Sequence, residues 1–279
     1  MIPGDEARPF LTPGWALGLT LFAAFLQGTI AVLLFDATGD PAASLFALSA
    51  LVAFGLAFAL GAARVPAPPG PHLGFRGAPA QAWLAVPFLL AAALIASEID
   101  NLYKLLLSPP PELGESAPPS DVARLLEWLL VFTLVIPVIE EVYYRGLILP
   151  GLTRAWGKLG GVGFMALLNG MAASIVIGHW ALAYVVSTAL LLGVLRICSG
   201  SILPGLLLNA ALGLLGVLAA RDFFGIPGFD DASAPHTPLA YLVPAALSVG
   251  IGLRLCRAAE RLVTPVEIEI EESAPDSSR

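Results

Sequence analysis

Charge is scarce in this chain. Only 13% of its 279 residues are Asp, Glu, Lys or Arg, about half the share found in ordinary soluble domains. A water-soluble globule is therefore excluded. Cysteine is scarcer still: Cys198 and Cys256 are the only two. Each sits near the expected end of a helix, with no disulfide framework or metal-ligand spacing around it, so both read as packing residues. The N-terminus, "MIPGDEARPFLTP", lacks the basic region of a secretory signal, and the apolar run after it is too long for a signal core, so a retained anchor is expected. Basic surplus is also missing. The net charge is −7, carried mainly by the C-terminal tail and two loops, which argues against nucleic acid as a partner.

What the chain does have is apolar length. Hydrophobic residues make up 57% of it and the mean hydropathy is +0.84. The fold class expected is all-α, a polytopic membrane helical bundle with about eight transmembrane helices of ~20 residues. The spans fall near 14–35, 41–63, 81–106, 122–149, 160–179, 181–198, 201–220 and 239–259. Between them lie Pro-rich connections, "VPAPPGPHLGFRGAPA" and "SPPPELGESAPPSD", and a third long loop over 221–238, none of which can continue a helix. Residues 1–262 are expected to form one integral-membrane domain. Residues 263–279, acidic and rich in Ser, read as a solvated, disordered tail.

Basic residues near span ends are retained on the cytoplasmic side. With the N-terminus inside, Arg8, Arg64, Arg76, Arg154, Lys158, Arg196, Arg254, Arg257 and Arg261 lie inside, and Lys104, Arg124 and Arg221 outside. That bias, nine to three, places both termini in the cytoplasm.

Against this background "VIPVIEEVYYRGLILPGL" is an anomaly. Each ionisable side chain at bilayer depth costs about 2.5–3.5 kcal/mol on insertion scales, so Glu140, Glu141 and Arg145 need partners, a wet cavity, or both. Glu141 and Arg145 are four residues apart with the acid first, the favourable order for a helical ion pair. Glu140 is turned about 100° from Glu141 and is free to act as a base. A buried salt bridge joining two helices would also account for the three residues, as would a proton or ion path. His179 is the one histidine placed at a span; His72 and His236 lie in loops. Its imidazole can take a proton, bind a metal, or hydrogen-bond at the interface beside Trp180. Asn209, inside an apolar helix, must find a hydrogen-bond partner. Asn169 is similar but has no motif around it.

Taken together these residues resemble the CAAX-protease and bacteriocin-processing (Abi) family of membrane-embedded endopeptidases. "EEVYYRG" (140–146) is similar to the family's EExxxR motif. "SIVIGHW" (174–180) stands at its FxxxH motif, with Ile175 in place of Phe. "LLGVLRICSGSILPGLLLNAALG" (191–213) resembles its third region, where HxxxN is replaced by Asn209 and Gly213. "LGFRGAPA" (73–80) is like the turn preceding the family's bundle, so the likeness spans about 73–217.

The resemblance implies a peptidase in a bacterial plasma membrane, acting on a peptide or protein near the bilayer. Glu140 and His179 would activate the water, Glu141 and Arg145 would support the site, and Asn209 would donate to the oxyanion. No cofactor is implied. A metal-dependent version would use the same Glu and His residues as ligands, and the changed third motif removes one of them. Losing an oxyanion donor typically costs about 10²–10³ in rate, so the replacement by Gly213 leaves a slow, differently specialised or inactive enzyme open. The alternatives are a non-catalytic binding or immunity-type member and a transporter or proton channel.

Overall fold

The computed structural model describes residues 11–39, 42–66, 68–107, 121–231 and 235–263; apart from residue 263, the expected acidic tail lies outside them. Helix α1 (Pro13–Thr38) starts at Thr12, whose hydroxyl accepts from the Trp15 N–H at 3.4 Å, and ends at Gly39 in a left-handed conformation. Helix α2 (Ala43–Ala62) packs along it. The pairing uses small residues. Ala16, Ala23 and Ala24 on α1 and Ala50, Ala53 and Ala57 on α2 are buried, while Phe25, Leu33, Leu51 and Leu60 are turned outward. Lipid is as apolar as leucine, so large side chains gain nothing by hiding from it, and close packing of small ones holds the helices together.

A short α3 (Pro69–Leu73) leads into α4 (Ala80–Leu89) and α5 (Ala92–Leu105), which meet at a bend of 47°. Pro87 within α4 removes one ladder hydrogen bond and crowds the preceding turn, the usual cause of such a bend.

The next helical run, Val122–Ile177, is 56 residues long. At 1.5 Å per residue that is about 84 Å, far more than the ~30 Å hydrocarbon core of a bilayer. It is not continuous. Helix α6 (Val122–Leu130) passes through a π-helical turn (Val131–Val135) into α7 (Ile136–Glu140), then through a wider π-helical stretch (Glu141–Ile148) into α8 (Leu149–Ile177). Inside α8, Gly157 has φ 72° and ψ 174° and breaks the helix, between the two spans expected at 122–149 and 160–179. A single 3₁₀ turn (His179–Ala181) precedes α9 (Leu182–Ser199), followed by α10 (Leu203–Ala219) and α11 (Leu239–Glu260).

Five described helical runs are long and apolar enough to span a membrane, and six if α4 and α5 are one bent span. The chain is thus a helical integral membrane protein. The expected count of eight is not what length alone gives, because α10 is short and Val122–Ile177 counts as one run.

Two packed cores flank the middle of the bundle. One joins α1, α2, the π-helical stretch and α8 through Leu19, Phe54, Tyr143, Leu147 and Met165. The other joins α4, α9, α10 and α11 through Val86, Leu89, Leu195, Leu208 and Cys256. Cys198 and Cys256 are both buried and free, and both belong to this second core.

Candidate active site

The polar residues of the membrane core come together where α7 and the π-helical stretch meet α8, α9 and α10. A cavity of about 330 Å³ opens there, lined by Glu140, Arg145, Asn169, Tyr184 and Asn209 among apolar side chains that include Trp128, Phe132 and Ile136. Glu140 also lines a second, smaller cavity of about 170 Å³ with Tyr144, Asn169 and Val176. It stands between the two.

Two π-helical turns interrupt the helical run that carries Glu140 and Glu141. In a π turn the N–H bonds five residues back instead of four, as Ile136 does to Val131 and Leu149 to Tyr144. Each such turn adds a residue and rotates the remainder of the helix by about 100° relative to regular geometry. Uniform α-helical geometry would turn Glu140 away from Glu141. In the structure one side chain serves both: Asn209 Nδ2 donates to Glu140 Oε2 at 3.0 Å and to Glu141 Oε1 at 3.3 Å. An amide NH₂ carries two hydrogens, so it can satisfy both carboxylates at once.

Glu141 and Arg145 are buried, at 1% and 0% exposure. They pair at 3.5 Å between Glu141 Oε1 and Arg145 Nη1, longer than the 2.7–2.9 Å typical of a charge-assisted hydrogen bond. Arg145 Nη2 reaches the Ala189 carbonyl at 3.5 Å, while its Nε and Nη1 have no hydrogen-bond partner among the described residues. Glu141 Oε2 has none either. It lies against Gly205, where a Cβ would fall 2.6 Å from that oxygen. The site therefore holds charged groups whose bonding capacity is not used up.

His179 is not brought to Glu140. It lies in the 3₁₀ turn beyond α8, exposed, with its ring 4.6 Å from that of Trp180, and it lines neither cavity around Glu140. The reason is helical rise: Ile177 is eight residues beyond Asn169 on α8, about 12 Å along the axis. Asn169 is the residue that α8 sends into both cavities, and sequence reasoning passed it over. A signal was present. Met165 and Asn169 are separated by four, the spacing of FxxxH, with both residue types changed. Among the described residues no group of three or more His, Cys, Asp and Glu side chains is arranged to hold a metal ion.

Gly213, at the place of the third motif's Asn, packs against the main chain of α6–α7. A Cβ there would collide with the Phe132 carbonyl oxygen. In the π pattern that carbonyl would accept from residue 137, which is proline and has no N–H. Gly213 thus fills the space beside a carbonyl left free by Pro137, and no side chain fits at this position without moving the backbone.

No curated protein and no solved structure matches the chain. Residues 123–215 match the family model described as type II CAAX prenyl endopeptidase Rce1-like. That third of the chain, which supplies Glu140, Glu141, Arg145, Asn169 and Asn209, is thus similar to the CAAX-protease family.

Proposed function

We propose that this protein is a membrane-embedded endopeptidase in which Glu140 is the base and side-chain amides replace the histidines of its relatives. The observation that carries this reading is the 3.0 Å contact between Asn209 Nδ2 and Glu140 Oε2 at the wall of an apolar cavity. Peptide hydrolysis needs a group that takes a proton from water and a donor for the oxygen that becomes negative. A carboxylate can supply the first and an amide N–H the second. Glu140 would accept the water proton as hydroxide adds to the peptide carbon. It would then pass that proton to the departing amine as the C–N bond breaks. Asn169, across the cavity, would donate to the oxyanion, while Asn209, with its two hydrogens on Glu140 and Glu141, would hold the carboxylates in place. Arg145 would hold Glu141 by their contact, and the π-helical stretch in place. The substrate would be a membrane-proximal peptide with apolar side chains to fit among Trp128, Phe132 and Ile136, reached from the cytoplasmic face of a bacterial plasma membrane.

A second reading has its own support: the described lining of this cavity contains amides and no histidine. A member of the family that binds a peptide there without cutting it would keep the same Glu and Arg residues. Purified protein, assayed for cleavage of membrane-tethered peptides beside Glu140→Gln, separates the two. The enzyme should lose about 10²–10⁴ in rate on this change while still binding the peptide. A wild type that binds peptides and never cleaves them, with cleavage appearing in Asn169→His/Asn209→His, would replace the first reading by the second.

A further inference from the structure

Behind Arg145, on the side away from Glu140, lies another cavity of about 200 Å³. Its charged lining is all of one sign: Arg76, Arg145, Arg196 and Lys158. Two of these have a carboxylate partner, Arg145 with Glu141 and Lys158 with Glu260 at 2.5 Å. Arg76 and Arg196 have none among the described residues. Arg76 Nε donates to the Gly200 carbonyl at 2.6 Å, and Arg196 Nε to the Arg145 carbonyl at 3.2 Å. Each guanidinium carries five N–H groups, so one bond to a neutral carbonyl leaves most of its donors unused and no carboxylate in direct contact among the described residues. Arg196 is nevertheless only 9% exposed. Arg145, fully buried, adds an Nε and an Nη1 with no hydrogen-bond partner.

The pocket is built. Gly74 (φ +83°) and Gly200 (φ +65°) are both left-handed, and a Cβ on either would collide with a guanidinium, that of Arg196 at Gly74 and that of Arg76 at Gly200. The two turns are stapled together. Ile202 N–H donates to the Gly74 carbonyl at 3.1 Å and Ser201 Oγ to the Arg76 carbonyl at 2.6 Å. The chain thus fixes two cations without a carboxylate contact beside two that have one, which leaves a surplus of positive charge facing the cavity that an anion would relieve.

The geometry points to a binding site for a phosphate group, held by Arg76, Arg196 and Lys158 with Arg145 as its inner wall. Guanidinium forks match phosphate oxygens in pairs, and donors arriving from a turn and two helices suit a tetrahedral anion better than a planar carboxylate. The site lies at the ends of spans, where α9 finishes and α8 breaks, and its cations are among those that the basic-residue bias assigns to the cytoplasmic side. Basic pockets between helices at that level take anionic lipid headgroups; a soluble phosphate compound would meet the same donors. The inference does not depend on catalysis at Glu140, although Arg145 walls both cavities and would link them.

The test uses the full chain in detergent. Native mass spectrometry would follow retention of phosphatidylglycerol against phosphatidylcholine, and thermal unfolding would be measured in inorganic phosphate against chloride at matched ionic strength. Selective retention of phosphatidylglycerol, reduced about ten-fold in Arg76→Gln, corresponding to ~1.4 kcal/mol, supports a headgroup site. A phosphate-dependent rise in Tm that Arg76→Gln abolishes, without lipid selectivity, supports a soluble phosphate ligand. Arg196→Gln removes a buried group and can unfold the protein, so Lys158→Gln, at an exposed position, serves as the second variant and should weaken either signal. Neither lipid selectivity nor a phosphate effect in wild type would overturn the proposal. So would folded Arg76→Gln and Lys158→Gln proteins that bind as well as wild type.

Discussion

Two groups of sequestered carboxylates, among the described residues, are treated oppositely. In the loop before α11, Asp230 accepts three backbone N–H groups, from Phe224, Gly225 and Ile226, at 2.5–2.9 Å. Nearby, Glu98 on α5 uses both oxygens, bonding His236 Nδ1 and the Thr237 N–H at 2.8 Å each and Asn101 Nδ2 at 3.3 Å. These acids are saturated, as buried structural polar groups normally are. Around Glu140 and Glu141 the ion pair is loose, one carboxylate oxygen and two guanidinium nitrogens lack hydrogen-bond partners, and a cavity adjoins them. Saturated acids close a fold, whereas unsaturated acids beside a cavity are kept for something that arrives later.

Arg145→Met is expected to have the largest effect. It leaves Glu141 buried without its cation, and breaking one side of a buried pair costs about 3–5 kcal/mol. Chemical unfolding in micelles would measure this. The double variant Glu141→Leu/Arg145→Met removes both charges and should recover most of the loss, since well-packed apolar replacements of buried pairs are often neutral. Recovery of stability without recovery of cleavage would sharpen the contrast with Asp230. A double variant as unstable as the single one would make the pair a structural element like the loop acids.

Gly213→Asn comes next. It restores a residue type of the third motif, yet the added side chain meets the Phe132 carbonyl. Overpacking of this kind costs about 1–3 kcal/mol, so Tm should fall and activity should not rise. A more active and equally stable Gly213→Asn protein would show that the close contact of α10 with Phe132 is dispensable.

This position also marks how far the sequence could be read. The helical membrane class followed from composition, and Glu140, Glu141, Arg145 and Asn209 stood out because charge and amide are costly in apolar helices. What could not be read was rotation. A sequence period assumes 3.6 residues per turn, and the π turns at 131–135 and 141–148 shift which residues of this run share a face. Asn169 escaped because an amide in place of a histidine no longer carries the motif, although its spacing survives. The Arg76 and Arg196 cavity escaped for another reason: those residues are 120 positions apart in sequence, and only the pairing of two left-handed glycine turns joins them.

Asp230→Ala should act on stability alone. Three backbone donors lose their acceptor, and leaving buried donors unsatisfied costs about 1–3 kcal/mol. Thermal unfolding should register it, while cleavage per folded molecule at low temperature should match wild type. Loss of cleavage in fully folded Asp230→Ala protein would mean that the loop and the cavity are coupled, and that saturation does not separate structure from function here.

The smallest effect is expected from His179, which the family resemblance pairs with Glu140 in activating the water. His179 is exposed and its ring contacts that of Trp180, so His179→Ala should change stability by no more than ~0.5 kcal/mol and cleavage by less than about two-fold, the rate equivalent of that energy. The site would then run on Glu140 and amides. A loss of about 10²-fold or more, the size of a missing general acid or base, would require the end of α8 to bring the imidazole inward when substrate binds. In that case the pairing of Glu140 with His179 would belong to the complex, and the amide at Asn169 would be the element waiting to be displaced.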